Sequence, residues 1–416
     1  MKEKHITLFE EKTQCCGCGA CMLVCPTHSI IMEEHELGCV YPTINSQTCI
    51  GCQKCEDVCG YKKEGMQNPL PIVTYAAASK KKENLRKSAS GGIFGAIAEE
   101  FLEKEGIVFG CSMENVDGQL VPMHIGIENK DDLVKLLGSK YVQSDLNDTY
   151  EQVKKILKNK RKVLFSGTPC QVAGLKSYLG NADISGLYTI DIICHGVPSR
   201  KFFADYLKEL SKKAKGFVEG FYFRDKTFGW GLTARIDYRT KDGKKSSQVI
   251  PAEMSSYYSL FLNSEIYRES CYSCKYANLN RVGDITIGDF WCIELEHPEY
   301  LVENGGVFST EDGVSCLLEN TQRGNELIKE YGRLLNIKIS DIEKVMKWNR
   351  QMREPSKHTE KREKLQKVYL ETGYLGVEEK FRKELGIRYF VKYVRNKMRL
   401  KKWRSKCKAN VESNIC

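Results

Sequence analysis

Two stretches near the start of the chain repeat one cysteine spacing: residues 15–26 read CCGCGACMLVCP and residues 49–59 read CIGCQKCEDVC. Each contains four cysteines in the order C-x-x-C-x-x-C-x-x-x-C. Three thiolates on one short loop can bind three irons of a 4Fe-4S cube, whereas the fourth thiolate must come from another segment. The repeat therefore predicts a small N-terminal domain, residues 1–66, that binds two 4Fe-4S clusters.

The same spacing occurs in bacterial ferredoxins, where the fourth cysteine of each stretch binds the cluster of the other stretch. On that pattern the first cluster is bound by Cys15, Cys18, Cys21 and Cys59. The second cluster is bound by Cys49, Cys52, Cys55 and Cys25. Zinc and disulfides are the alternatives, but the extra fourth cysteines and the Cys25-Pro26 pair exceed what a zinc site needs.

The composition sets the size and the compartment that we expect. The chain has 416 residues, enough for two or three domains, and 19 cysteines. Thiolates that bind iron need a reducing compartment, and no signal peptide precedes Cys15, so we expect a cytoplasmic protein. No apolar run approaches the ~18 residues that a membrane helix requires.

The positive charge is concentrated in a C-terminal tail. The segment from Lys380 to Lys408 carries +12 of a net +10, which leaves the rest of the chain at about −2. Such a tail could lie on an anionic membrane, while nucleic-acid binding is the less favoured alternative because nothing else supports it. The commonest outcome for such a pattern is an amphipathic helix packed on the body.

The order of predicted elements favours an α/β fold, α+β overall, behind the ferredoxin-like domain. After a proline-containing linker at residues 66–71, Ser90 is predicted to cap a helix, and strands then alternate with helices, which favours a mainly parallel sheet. Residues 217–250 alternate as antiparallel strands do, and the chain is largely helical from Gln322. We divide it into a mixed α/β body at 75–150 and 151–340, followed by a helical basic tail at 341–416.

A second set of cysteines lies in the body. Two predicted strands end just before Cys170 and Cys194, and ligand sites of parallel α/β sheets gather beyond the carboxyl ends of strands. With the pair Cys271-x-x-Cys274, these thiols are enough for a third 4Fe-4S cluster. The alternative is that the first two are small core residues and that the pair binds nothing.

Six motifs in a fixed order resemble those of the coenzyme F-420 hydrogenase/dehydrogenase beta-subunit family. The resemblance covers roughly residues 75–300, and its motifs are Ser90-Gly91-Gly92, Gly138-Ser139-Lys140-Tyr141, Gly167-Thr168-Pro169-Cys170-Gln171, Cys194-His195-Gly196-Val197-Pro198-Ser199, Phe223-Arg224-Asp225-Lys226 and Gly283-Asp284-Ile285-Thr286-Ile287-Gly288-Asp289-Phe290-Trp291. One departure is Cys292, where the family usually has glycine.

The resemblance implies a flavoprotein in which FAD lies beside an iron–sulfur cluster and passes electrons to a deazaflavin or another organic acceptor. It implies that Cys170, Cys194, Cys271 and Cys274 bind the third cluster. It also makes Ser90, Gly91, Gly92, Lys140 and Tyr141 candidates for the flavin site.

Three weaker signals complete the set of candidate residues. Arg224 and Lys226 could neutralise a phosphate or a reduced flavin, with solvated surface charge as the alternative. His195 could move protons beside a cluster or flavin, although a structural histidine is the commoner case. A dinucleotide fingerprint at residues 229–234 is rejected, because a strand pattern follows where a helix is needed.

Together these features predict an iron–sulfur flavoprotein oxidoreductase that relays electrons between a ferredoxin-type partner and FAD, and on to a small organic acceptor. The alternative is a non-catalytic electron-transfer subunit of a larger complex. Flavin that stays bound to the purified protein would favour the enzyme.

Overall fold

The computed structural model describes residues 7–388, 391–392, 394–395 and 398. Most of the predicted basic tail, including Trp403, lies outside these residues. Of the part that the structure describes, no helix is long and apolar enough to cross a membrane.

The N-terminal segment is built around a short antiparallel hairpin and two short helices. Its elements are α1 (Ala20–Val24), β1 (Ile30–Glu34), β2 (Val40–Ile44) and α2 (Lys54–Asp57). Strands β1 and β2 pair antiparallel, with Ile30 opposite Ile44. The two cysteine stretches therefore lie on either side of one hairpin.

The body is formed by the remaining strands and helices. In chain order these are β3 (Val73–Ser79), α3 (Lys82–Lys87), α4 (Ile93–Glu103), β4 (Ile107–Val116), β5 (Gln119–Ile127), α5 (Leu133–Leu136), α6 (Thr149–Lys158), β6 (Val163–Gly167), α7 (Pro169–Leu179), β7 (Leu187–Ile192), α8 (Arg200–Ala214), β8 (Gly216–Tyr222), β9 (Thr233–Thr240), β10 (Lys245–Pro251), α9 (Ser256–Leu262), β11 (Ile285–Asp289), α10 (Ile293–Glu296), β12 (Ser315–Glu319), α11 (Gln322–Tyr331), β13 (Leu335–Ser340), α12 (Ile342–Trp348) and α13 (Glu360–Leu385).

Eight of these strands form one mixed sheet in the order β13-β3-β12-β11-β7-β6-β4-β5. Only the central pairs β4–β6, β6–β7 and β7–β11 are parallel, and the outer pairs are antiparallel. The mixed α/β class is confirmed, but the prediction of a mainly parallel sheet was wrong. The reason is that β3 lies between β12 and β13, more than 200 residues away in sequence, a pairing that local patterns do not indicate.

Two smaller predictions of secondary structure were tested. Strands β8, β9 and β10 form the expected antiparallel sheet, and β9 follows the rejected dinucleotide fingerprint directly. The N-cap of α4 is Gly92 and not Ser90. Gly92 has a φ of +75°, and glycine adopts this left-handed conformation without the steric cost that a Cβ adds.

The hydrophobic core lies on both faces of the large sheet. Helices α4 and α11 cover one face through Phe101, Leu327 and Tyr331, and α6 and α7 cover the other through Val153 and Val172. The N-terminal segment packs into this second layer, because Ala20 and Val58 belong to the same buried cluster as α6 and α7. This packing brings the cysteines of the two predicted domains close together.

Candidate redox centre

Cys15, Cys18, Cys21 and Cys59 are brought together by the structure, and we call them site A. Burial, followed by the neighbouring thiolates of Cys18, Cys15 and Cys59, raises the pKa of the Cys21 thiol. Burial also raises the pKa of Cys59, with Cys18 contributing. The predicted crossover is therefore sterically feasible, because the last cysteine of the second stretch reaches the first three of the first stretch.

Cys25, Cys49, Cys52 and Cys55 line one small cavity, and we call them site B. Helix α1 separates Cys21 of site A from Cys25 of site B, and α2 similarly separates Cys55 from Cys59. Site B lies at the surface, since Cys52 and Ile50 are exposed. Site A, in contrast, is covered by the body.

Cys170, Cys194, Cys271 and Cys274 form a third group, which we call site C. Burial and the thiolates of Cys194, Cys274 and Cys170 raise the pKa of Cys271. The strands bring Cys170 and Cys194 together as predicted, because β6 and β7 are parallel neighbours and each cysteine follows the carboxyl end of its strand. Pro169 opens α7, and a capping box of Thr168 and Gln171 fixes the start of that helix.

Helix α7 connects site C to site A. A Cβ on Gly174, one turn after Cys170, would lie 3.1 Å from the Cys18 sulfur. A Cβ on Gly60, the residue after Cys59, would lie 2.6 Å from the carbonyl oxygen of Ala173. The two sites thus share one helix as a wall.

The thiols of each site are spread out and do not converge on one point. In the part of the chain that the structure describes, no three His, Cys, Asp or Glu side chains are placed to hold a single metal ion. In a 4Fe-4S cluster each thiolate binds its own iron, so four ligands surround a cube. Sites of four separate thiols fit such a cluster better than they fit one zinc ion.

A large cavity lies next to site C, beyond the carboxyl ends of β6, β7 and β11. Its volume is about 470 Å³, within the range of about 300–1,000 Å³ that is usual for cofactor pockets. Cys194 lines this cavity and also belongs to site C. The cavity therefore directly adjoins the third group of thiols.

Most of the predicted flavin-site residues line this central cavity. They are Ser90, Gly92, Lys140, Tyr141 and Arg224, together with the candidate proton carrier His195. The first turn of α4 also faces the cavity through residues 93–95. A helix start offers free backbone N–H groups and the positive end of the helix dipole to an anion such as a diphosphate.

Lys140 places a cation in the cavity wall. Its ammonium donates to the carbonyl oxygens of Leu137 at 2.8 Å and Lys135 at 3.1 Å, which uses two of its three donors. Burial lowers its pKa to about 8. An anion in the cavity would accept the remaining donor and favour the charged form.

Gly91 and Lys226 act from behind the cavity wall. A Cβ on Gly91 would lie 2.5 Å from the carbonyl oxygen of Ala77, so this glycine permits close packing on β3. The Lys226 ammonium donates to the carbonyl oxygens of Leu85 at 2.6 Å and Ser90 at 2.8 Å, and also to that of Asp312. Lys226 thus holds the Ser90 loop in place.

The charge of Arg224 is already compensated. Its guanidinium makes a two-pronged contact with Asp289 at 3.0 and 3.1 Å and donates to the Tyr141 hydroxyl at 3.0 Å. Asp289 also accepts from the Trp230 indole, whose ring stacks on that of Trp291 at 5.0 Å. This network fixes one end of the cavity. The pKa of the adjacent His195 is lowered by burial, which favours the neutral imidazole.

Sequence reasoning missed a hydrogen-bonded chain between the cavity and site C. His124 contacts the Ser144 hydroxyl at 2.9 Å, and Gln171 donates to that same hydroxyl at 2.9 Å. Gln171 also accepts from Thr168, whose hydroxyl lies 3.1 Å from the Cys170 sulfur. Gln171 and Thr168 stood in a quoted motif, but His124 and Ser144 had no signal in the sequence.

The cysteines outside the three sites are placed differently. Cys111 lines the central cavity, whereas Cys39 and Cys292 lie away from the twelve grouped thiols. Cys292 has a φ of +56°, which explains why glycine suits this position. Cys407 and Cys416 lie outside the described residues.

Comparison with known proteins identifies the body. Residues 160–345 match the profile of the C terminus of the coenzyme F420 hydrogenase/dehydrogenase beta subunit. Over this segment the chain is a member of that beta-subunit family. The match contains two site C thiol positions at strand ends, the Cys271-x-x-Cys274 pair and the Asp289 network.

Two curated relatives and one solved structure are similar to the chain. An uncharacterised protein of Methanocaldococcus jannaschii is 25% identical over 41% of this chain and 54% of its own length. The F-type subunit of the F(420)H(2) dehydrogenase of Methanosarcina mazei is 24% identical over 43% of this chain and 53% of its own length. The chain thus spans about half the length of these relatives. A chain of the F420-reducing [NiFe] hydrogenase complex of Methanosarcina barkeri is 19% identical, with a TM-score of 0.42, over 78% of this chain and 97% of that one.

Proposed function

We propose that this protein is an iron–sulfur flavoprotein oxidoreductase that relays electrons between a ferredoxin-type partner and FAD in the central cavity. The acceptor beyond FAD is a small organic molecule, either deazaflavin coenzyme F-420 or another substrate. The observation that carries this proposal is the position of Cys194, which belongs to site C and also lines the cavity. Electrons at site C would then need no further carrier to reach a cofactor in the cavity.

The order of the sites supports a directional relay. Site B is at the surface and is the natural point of exchange with a ferredoxin-type partner. Site A is next to site B through α1 and α2, and site C is next to site A through α7. Bound clusters would carry single electrons, and bound FAD would collect two for an organic acceptor.

The residues of the cavity have distinct parts in this proposal. The first turn of α4 and the Lys140 ammonium provide donors for the diphosphate of FAD. The pair of Arg224 and Asp289 orients Tyr141 at one end of the cavity. His195, beside Cys194, is the candidate to hold or move a proton.

A second function is favoured by the name of one relative, which is one subunit of an F(420)H(2) dehydrogenase. In that case the chain is a non-catalytic electron-transfer subunit of a larger complex. The cavity would then hold no flavin, and the chain would only pass electrons from site to site. We favour the enzyme because the cavity is large and is lined by a helix start and a cation.

We also propose a reducing, cytoplasmic environment, since iron-binding thiolates do not persist where disulfides form. The basic tail is the proposed contact with an anionic membrane. A role in nucleic-acid binding remains the least supported, because only the tail is strongly basic.

Anaerobic purification tests the proposed function. The protein should contain about twelve iron atoms with matching sulfide and one extractable FAD per chain. About eight iron atoms would contradict the third cluster. Full iron without flavin, after incubation with FAD, would reject the enzyme and favour the electron-transfer subunit. The Cys271→Ser, Cys274→Ser double variant should lose only about a third of the iron.

A further inference from the structure

Arg268 belongs to the body but is directed toward site A of the N-terminal domain. Its Nε donates to the carbonyl oxygen of Cys15 at 2.9 Å, and one Nη lies 4.0 Å from the Cys15 sulfur. The same Nη donates to the carbonyl oxygen of Val40 on β2 at 2.8 Å. The other Nη donates to Gln143 at 2.9 Å. The guanidinium thus touches the loop that carries three of the site A thiols.

Arg268 is also almost completely removed from water, with only 1% of its surface exposed. Its guanidinium lies over the Tyr41 ring, 4.2 Å from the ring centre. The loop approaches it closely because residue 17 is glycine: a Cβ there would lie 2.6 Å from an Arg268 nitrogen. Gly17 has a φ of +68°, so this position favours glycine for two separate reasons.

The charge of Arg268 lacks the usual compensation. Three other arginines of the described residues are buried, and each is paired with a carboxylate: Arg224 with Asp289, Arg281 with Asp191 and Arg362 with Glu269. Among the described residues no carboxylate lies within 4.0 Å of Arg268 in an ion pair. The acidic groups that face it are the thiols of Cys39, Cys15 and Cys16 and the Tyr41 phenol. A buried charge without a partner is strongly destabilising, so this position requires an anion.

We infer that Arg268 is the counter-ion of the iron–sulfur cluster at site A and raises the reduction potential of that cluster. The inference rests on the proposed function, which provides the cluster. A cluster with four thiolate ligands is an anion, and reduction by one electron adds one further negative charge without taking up a proton. A fixed positive charge stabilises the reduced state more than the oxidised state.

The consequence is an unequal pair of clusters within one ferredoxin-like repeat. Site B is exposed, and its thiols have no such arginine in contact among the described hydrogen bonds. Site A should therefore have the higher potential of the two. An electron that enters at the surface would then move inward to site A, toward site C and the cavity.

The test is an anaerobic redox titration of the full-length protein, followed by electron paramagnetic resonance. The site A signal is first assigned by its loss in Cys59→Ser. Arg268→Gln removes the charge, Arg268→Lys keeps it, and Arg333→Gln removes an arginine charge that is 76% exposed at its side chain and distant from the thiols. We expect Arg268→Gln to lower the potential of site A alone, Arg268→Lys to lower it less, and Arg333→Gln to change none.

The outcomes separate this inference from the proposed function. If the parent protein holds no cluster at site A, both are refuted. If the parent holds the cluster and Arg268→Gln leaves its potential unchanged, only the counter-ion role is refuted. If Arg268→Gln loses the cluster, the decision passes to Arg268→Lys: a retained cluster with a potential near that of the parent supports the role of the charge. Loss of the cluster from Arg268→Lys as well would show that the hydrogen-bond geometry is essential and would overturn the inference.

Discussion

Two adjacent glycines in one motif have different physical reasons to be glycine. Gly91 avoids a clash with the backbone of β3 and β12, since a Cβ there would lie 2.5 Å from one carbonyl oxygen and 2.8 Å from the amide nitrogen of Ser315. Gly92 has space for a side chain but has a φ of +75° at the start of α4. Substitution of the first should therefore affect the sheet, and substitution of the second should affect the helix start that faces the cavity.

We predict that Gly92→Val reduces flavin binding and lowers stability by about 1–2 kcal/mol, because a β-branched residue is strained in the left-handed conformation. Gly92→Asn is the matched control, since asparagine tolerates this conformation and should retain more flavin. The measurements are flavin content and thermal unfolding. Equal flavin in both variants and the parent would contradict a role for this helix start. The N-terminal iron should stay unchanged in either case.

A second prediction concerns the pH dependence of flavin binding. The pKa of Lys140 is lowered to about 8 by burial, so its ammonium is charged below that pH and neutral above it. A bound diphosphate favours the charged form and raises this pKa, so the affinity for FAD should be highest below about pH 8 and should fall as the pH rises through it.

Lys140→Met tests this interpretation, because it removes the cation but keeps much of the apolar stem. We expect weaker FAD binding at pH 7 and the loss of the change around pH 8, measured by fluorescence titration of the apoflavin protein. Lys135→Met, at an exposed lysine of α5, should behave like the parent. Persistence of the pH dependence in Lys140→Met would assign it to another group.

At the level of elements, short-range patterns were predictable from the sequence and long-range pairings were not. The cysteine spacing and the strand ends before Cys170 and Cys194 depend on neighbouring residues, so they could be read directly. Arg268 lies 253 residues from Cys15, and β3 pairs with strands from the far end of the body. Such contacts leave no local periodicity. The helix start was misplaced by two residues because a serine is the commoner cap.

The segment that follows α13 gives a prediction at the same scale. Ile387, Val391, Val394 and Met398 are spaced as one face of a helix, and all four are exposed. Arg388, Lys392 and Arg395 lie between them in sequence. An apolar stripe flanked by cations is the pattern of a helix that lies on an anionic membrane, and the exposure argues against the alternative of a helix packed on the body.

We predict that the Ile387→Ser, Val391→Ser double variant binds acidic vesicles at least several-fold more weakly than the parent in a sedimentation assay. The matched control is Leu370→Ser, Leu375→Ser, which alters two exposed leucines of α13 outside the stripe. Iron and flavin contents should not change in either variant. Equal binding by all three proteins would contradict the membrane contact, and loss of folding in the first variant would support packing on the body.

For the whole molecule, the arrangement of the three sites implies one order of electron transfer. Site B is exposed, site A is covered, and site C adjoins both α7 and the cavity. If flavin were reduced directly from solution, site C would be dispensable. If the relay is correct, removal of site C should isolate the flavin from electrons that enter at site B.

We therefore predict that Cys271→Ser, which removes one site C thiol from outside the cavity lining, leaves FAD bound but prevents its reduction through ferredoxin. Absorbance should show flavin that stays oxidised while the two N-terminal clusters are still reduced. The matched control is Cys316→Ser, at a buried thiol outside all three sites, which should behave like the parent. A small chemical reductant that reaches the cavity directly should reduce the flavin in every variant, which confirms that the cofactor itself is intact. Rapid reduction by ferredoxin in Cys271→Ser would mean that electrons bypass site C, and the proposed order would then be wrong.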